Sequence, residues 1–181
     1  MLARHPAIGL LVNNAGLSAR SDFLSAEPER IEEVMRVNYL GSVWCLRAFL
    51  PALAPGAHVV NVVSVAGTVA SGTSGPYTAS KHAQLAFSRA SQAELRRRGI
   101  SVHTILPGFI ETEGFPQRRA LPRRLHWAIG EPEQVAEAIV SALEEDKPEL
   151  FVPRWYRIAM LAQALTPGLV RRFGGGARKT A

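Results

Sequence analysis

The sequence predicts an α/β domain built on a parallel sheet, and three observations carry that reading. Short apolar runs at Ile8–Val12, His58–Val63 and Ile100–Leu106 alternate with longer amphipathic stretches. Ile8–Val12 is apolar apart from Gly9, a pattern that suits a strand covered on both faces, and the other two runs are rich in Val, Ile and Leu. Each run ends in turn-forming residues: Asn13-Asn14-Ala15-Gly16, Ser64 and the small-residue passage through Gly75, and Pro107-Gly108. A regular succession of strand, turn and helix favours one α/β sheet over a helix bundle or an antiparallel sandwich.

The elements follow in order. Ile8–Val12 reads as a strand needing cover on both faces. Residues 28–50 read as one long helix, opened by Pro28 and carrying Ile31, Val34, Met35 and Val37 between charged positions. His58–Val63 is the second strand, and a helix over roughly 76–98 follows the small-residue passage. Ile100–Leu106 is the third strand. The stretch through Gly130 reads as a loop with short helical pieces, followed by a helix at 132–145 and a last strand at 149–152. Residues 1–170 are assigned to one domain and 171–181 to a basic, flexible tail containing Gly174-Gly175-Gly176.

With 181 residues, 47% of them hydrophobic, the chain is long enough for one substantial core. Cys45 is the single cysteine, which excludes an intrachain disulfide framework and a multicysteine metal centre; a reducing, cytoplasmic setting is the corresponding expectation. The helical context of Cys45 suggests core packing. The formal charge of +6 comes from arginines scattered between apolar segments, so it reads as a solvated surface, with no recognised nucleic-acid-binding module. His5, His58, His82, His103 and His126 show no recognised metal-ligand spacing, and no metal is expected.

The chemistry concentrates at three positions. Tyr77 and Lys81 lie four residues apart, one helical turn, which puts a phenol and an ammonium on the same face. The ammonium would favour the phenolate and ease acid–base cycling. Ser64, thirteen residues before Tyr77, can bind an alcohol or carbonyl oxygen beside them if the intervening loop folds back. Taken singly, Asn13 and Asn38 also suit turn caps or buried backbone partners. Pro107-Gly108 also suits a simple turn, and the Tyr77–Lys81 pair a surface face.

The ordered combination of Asn13-Asn14-Ala15-Gly16, Asn38, Ser64, Tyr77-Thr78-Ala79-Ser80-Lys81 and Pro107-Gly108-Phe109-Ile110-Glu111-Thr112 resembles the classical short-chain dehydrogenase/reductase family over most of residues 8–152. The resemblance implies that the chain is the carboxyl-terminal catalytic portion of an NAD(P)-dependent oxidoreductase interconverting an alcohol and a carbonyl. It assigns catalysis to Asn38, Ser64, Tyr77 and Lys81. Tyr77 would transfer the proton, Ser64 orient the substrate oxygen, Lys81 stabilise tyrosinate and contact the nicotinamide ribose, and Asn38 organise a water-linked proton path. Cofactor contacts would come from Asn13, Ala15, Gly16, Tyr77, Lys81, Pro107, Gly108, Ile110 and Thr112, with the Ile110 backbone facing the carboxamide.

Family members carry a strand, a glycine-rich turn and a helix ahead of the segment matching residues 8–16, and Met1 stands seven residues before Ile8. The expectation is therefore a partial Rossmann-like sheet in a truncated chain. The glycine-rich turn would hold pyrophosphate, and the determinant separating NAD from NADP belongs with it. A catalytically inactive family member or an interaction protein is the alternative. Two apolar stretches complete the reading. Phe109, Phe115, Leu121, Leu125 and Trp127 suggest an apolar wall for a small-molecule substrate. The segment around 154–170, with Trp155, Ile158, Met160, Leu161 and Leu165, offers a surface for packing, for homo-oligomerisation or, less readily, for peripheral membrane association.

Overall fold

In the computed structural model, the structure describes residues 7–19, 21–69, 74–113 and 116–165. The expected flexible tail at 171–181 lies outside the described residues, as does Phe115. Four strands, β1 (Ile8–Asn13), β2 (Leu53–Val62), β3 (Ser101–Pro107) and β4 (Glu149–Val152), form one parallel sheet in the order β1-β2-β3-β4. The α/β parallel fold read from the sequence is the fold observed. β2 begins at Leu53, earlier than the Val-rich run suggests, with an irregularity in register between Ile8 and Leu10.

The 28–50 helix is not one uniform helix. α1 (Pro28–Met35) passes through a π-helical turn at Arg36–Leu40 into α2 (Gly41–Phe49). The wider turn contains the fully buried Asn38, in keeping with the concentration of π-turns at functional positions. α3 (Gly75–Arg96) follows β2, with Pro76 in its first turn, where a missing N–H costs nothing. After β3 come a short helix α4 (Gln117–Ala120), a 3₁₀ stretch at Arg123–Ala128, and α5 (Pro132–Glu144), which opens on a Glu131/Gln134 capping box. α6 (Tyr156–Leu165) follows β4. No described helix is long and apolar enough to cross a membrane.

Alternation along the strands sorts the core into two faces. Val59 and Val102 pack with Leu46 of α2 and Leu95 of α3, while Val60, Val62 and Ile105 pack with Ala142 of α5. α3 is tied to β4 by a two-pronged hydrogen bond of Arg89 to Glu149, at 2.9 and 3.0 Å. The cover that β1 needs is present on one face only, and the core packing expected of Cys45 is not observed. Leu10 and Val12 of β1 stand 44% and 41% exposed, so that strand is covered mainly on the α2/α3 side. Cys45 is exposed, not core, because α2 turns Ser42 and Leu46 inward and Cys45, with Trp44, outward.

Candidate active site

Asn13, Ser64 and Pro107 sit at or just beyond the carboxyl ends of β1, β2 and β3, the edge at which parallel α/β sheets bind their ligands. Ser64 caps a 3₁₀ turn (Val65–Gly67), accepting a hydrogen bond from the Ala66 N–H at 3.1 Å and donating to the Pro107 carbonyl at 3.3 Å. This turn lies against α3 so closely that a Cβ on Gly67 would come within 2.7 Å of the Lys81 carbonyl oxygen. The chain thus folds back as Ser64 requires, and Ser64 hydrogen-bonds the Tyr77 side chain. Both residues are half-buried, and burial pushes the Tyr77 phenol up while the Ser64 bond opposes that shift.

Lys81 is 4% exposed, its ammonium 5.9 Å from the Tyr77 ring centroid. The two side chains are thus neighbours on α3, as their four-residue spacing predicts. The ammonium is turned toward the Gln84 side-chain oxygen at 2.8 Å and the Val62 carbonyl at 3.3 Å, and desolvation governs both groups. Burial pulls Lys81 down to about 7, so its charge is held by few polar partners. Gln84 is fully buried and donates onward to Ser42 Oγ at 2.9 Å, which donates to the Asn38 carbonyl at 3.3 Å. Sequence reading missed Gln84, although its position three residues after Lys81 on the same helix face was the available signal.

The shift of Lys81 gives a stability prediction. The unfolded lysine holds its proton up to the ordinary value of 10.5 and the folded one only up to about 7. The unfolded state therefore binds more protons between those limits, and stability climbs with pH across that window; below it both states are protonated and the penalty is constant. Urea denaturation should show a gain of about 2 kcal/mol from about pH 7 to about pH 9 that is absent in Lys81→Met.

Asn38 is spent on architecture. Its Oδ1 accepts from the Leu17 N–H at 2.7 Å, and its Nδ2 donates to the Leu17 carbonyl and to Ser80 Oγ, each at 2.9 Å. It thereby pins the Asn14–Leu17 turn to α3, while its main-chain carbonyl accepts from Ser42 Oγ. A Cβ on Gly16 would sit 3.4 Å from Asn38 Oδ1 and 3.6 Å from Lys81 Nζ, ordinary contact distances that place this turn against the lysine. Ala15 and Gly16 are exposed there. Asn13 is drawn inward instead. It donates to Asn61 Oδ1 at 2.8 Å, Asn61 donates to Ser88 Oγ at 2.9 Å, and Ser88 shares a 2.7 Å hydrogen bond with Thr104. This buried polar chain links β1, β2, α3 and β3, which makes it a fixed part of the fold.

On the far wall, Gly108 allows the Tyr156 ring to approach, since a Cβ there would fall 2.0 Å from it. Tyr156 donates to the Ala128 carbonyl and accepts from the Phe109 N–H, both at 3.3 Å, joining α6 to the loop after β3. Ile110 forms a parallel bridge to Gly130 that uses the Phe109 carbonyl and the Glu111 N–H, so Ile110's own amide and carbonyl point the other way. Thr112 is exposed, beside an open hollow of about 680 Å³ lined by Glu111, Glu113, Pro116, Arg119 and Pro132. That hollow borders the cofactor candidates and contains none of Ser64, Tyr77 or Lys81. Of the expected apolar wall, Phe109, Leu125 and Trp127 are exposed, with Trp127 5.1 Å from Trp155 between ring centroids.

Residues 1–121 match the family model described as short chain dehydrogenase. The chain is 34% identical over 161 residues to 17-beta-hydroxysteroid dehydrogenase 13 of Mus musculus, a match covering 86% of this chain and 52% of that protein. It is 30% identical over 179 residues to Dehydrogenase/reductase SDR family protein 7-like of Drosophila melanogaster, covering 93% and 55%. It thus spans about half the length of the curated relatives it matches. A short chain dehydrogenase from Burkholderia cenocepacia J2315, crystallised in complex with NADP, superposes with a TM-score of 0.83 at 29% identity, over 97% of this chain and 72% of that one. The match over two-thirds of the sequence and the shared architecture place the chain in the short-chain dehydrogenase/reductase family.

Proposed function

We propose that this chain is the proton-transferring part of an NAD(P)-dependent oxidoreductase that interconverts an alcohol and a carbonyl. The observation that carries the reading is the Ser64–Tyr77 hydroxyl pair at the carboxyl edge of the sheet, backed by the buried Lys81. Ser64 would hold the substrate oxygen by a hydrogen bond, and Tyr77 would give a proton to that oxygen in reduction or take it in oxidation. Lys81, poised near neutrality, would follow the charge on Tyr77, and the Ser42–Gln84 relay would keep its ammonium in register.

The nicotinamide end of such a cofactor fits the residues present: the exposed Ala15–Gly16 turn lies over Lys81, and the free side of the Ile110 backbone offers an amide and a carbonyl. When bound, the nicotinamide supplies or accepts hydride. NADP in the Burkholderia cenocepacia neighbour supports a nicotinamide dinucleotide here without choosing between its phosphorylated and unphosphorylated forms. The exposed Phe109, Leu125 and Trp127 favour a substrate with an apolar body.

The pyrophosphate and adenosine would be held by elements preceding β1 in a longer polypeptide, as the open edge of β1, the uncovered face at Leu10 and Val12 and the greater length of the relatives suggest. The same exposed edge favours a second reading, a noncatalytic chain that recruits a partner strand. Nicotinamide absorbance followed against a panel of small polar and larger apolar alcohols and carbonyls, in a form extended before Met1, tests the first reading. Turnover favouring the apolar set is expected. No turnover with any member, despite saturable cofactor binding, would favour the second reading.

A further inference from the structure

We propose that His58, His103 and Asp146 form a binding site for one divalent transition-metal ion of zinc's type, at the edge of the sheet opposite the candidate active site. His58 and His103 are 45 residues apart in sequence and show no ligand spacing. The β2–β3 register brings them together. His58 pairs with Ser101 and Val60 with His103, so the two histidines are diagonal neighbours on the face that α5 covers. His58 Nδ1 lies 2.9 Å from His103 Nε2. Asp146, in the turn between α5 and β4, places a carboxylate oxygen 3.9 Å from the same His103 nitrogen. Among the described residues, these three offer donor atoms all within 4.8 Å of one another.

His103 is set up as a ligand. It is 1% exposed, and its Nδ1 lies 2.8 Å from the Lys147 carbonyl. A carbonyl can only accept, so Nδ1 carries the hydrogen, and in the neutral ring Nε2 presents its lone pair to His58 and Asp146. A histidine that donates one ring N–H to a backbone carbonyl and turns the other nitrogen on a cation is the common second-sphere arrangement of metal ligands. The turn carrying the carboxylate is defined as well. Asp146 has a positive φ of 48°, and the Lys147 N–H returns to the Ala142 carbonyl at 3.0 Å, closing the end of α5.

Two imidazoles and one carboxylate suit zinc and its late first-row neighbours over magnesium or calcium, which prefer oxygen. At metal–ligand distances of about 2.0–2.1 Å, tetrahedral ligand atoms stand about 3.3 Å apart. The His58–His103 contact therefore opens by roughly 0.4 Å and the Asp146–His103 contact closes by roughly 0.6 Å, with the half-buried His58 and the exposed Asp146 supplying the movement. His58 passes its hydrogen from Nδ1 to Nε2, a change of tautomer that needs no net loss of a proton. The site would clip together β2, β3 and the α5–β4 turn. Six residues along β2 separate His58 from Ser64, about 20 Å, so the ion would act on the fold and not on the proposed chemistry.

Calorimetric titration of the tag-free 181-residue chain with zinc chloride, in a buffer that does not chelate, tests this. One ion per chain is expected, uncontested by excess magnesium, with a rise in Tm of about 5–10 °C at roughly a hundredfold excess over Kd. His58→Gln and Asp146→Asn should each weaken binding at least about tenfold and remove the Tm rise, while His82→Gln, elsewhere on α3, should change neither. Asparagine accepts the positive φ at 146, so the aspartate variant keeps its turn. Absence of saturable one-to-one binding, or equal affinity in the His58 and Asp146 variants and the parent, would overturn the proposal.

Discussion

Tyr77→Phe is expected to lower turnover of the extended enzyme by about 10²–10⁴-fold while leaving folding and cofactor affinity close to the parent values. The substitution removes one hydroxyl from a half-buried ring on α3 and leaves the ring's packing in place. What disappears is the group that bonds Ser64 and would exchange a proton with the substrate oxygen. The loss should fall on kcat, because the proton moves in the transition state, whereas Ser64→Ala should also raise KM by removing a contact to the bound oxygen. Steady-state rates at saturating substrate, with circular dichroism as the folding control, measure this. Parent-like turnover in Tyr77→Phe would exclude the tyrosine as proton donor.

The second large effect concerns the 181-residue chain by itself. Little or no turnover is expected from it, with both cofactor affinity and turnover appearing when a strand, glycine-rich turn and helix are joined before Met1. On the proposed reading Ser64, Tyr77 and Lys81 would polarise a carbonyl while other elements hold the dinucleotide in register, and an error of about 1 Å in reactant placement can cost about 10²-fold in rate. The added strand would also lie along β1, where Leu10 and Val12 are now exposed. Thermal unfolding and cofactor titration of both forms separate the contributions: the extended form should gain stability and affinity together. Robust turnover by the purified 181-residue chain alone would show a nucleotide site built from residues 1–181.

The sequence was most informative where a pattern is local. The strands, α3, α5 and the Tyr77–Lys81 face follow from apolar runs, turn residues and a four-residue spacing, and the structure has each close to its expected place. What escaped depends on contacts between distant segments. The π-turn at Arg36–Leu40 is tied to Asn38, whose partners are Leu17 and Ser80, so the hydrophobic period of residues 28–50 gives no warning of it. Cys45 lies outward because the buried face of α2 is chosen by Ser42 and Leu46. Gln84 accepts a hydrogen bond from the Lys81 ammonium, a partner that only burial of the whole α3 face reveals. Asn13, a cofactor candidate by resemblance, has its side chain in a polar chain whose other members lie on β2, α3 and β3. The nearness of His58 to His103 is likewise a product of strand register.

Tracing hydrogen isotope from cofactor to product tests the proposed chemistry most directly. The extended enzyme would be given a nicotinamide cofactor carrying deuterium at its transferable position, together with the apolar carbonyl that turns over fastest in the panel. The expected result is an alcohol bearing deuterium on the former carbonyl carbon and a solvent-derived proton on oxygen, formed at least about 10²-fold more slowly by Tyr77→Phe. Cofactor consumption without label on that carbon, or equal label transfer by the Tyr77→Phe protein, would contradict it.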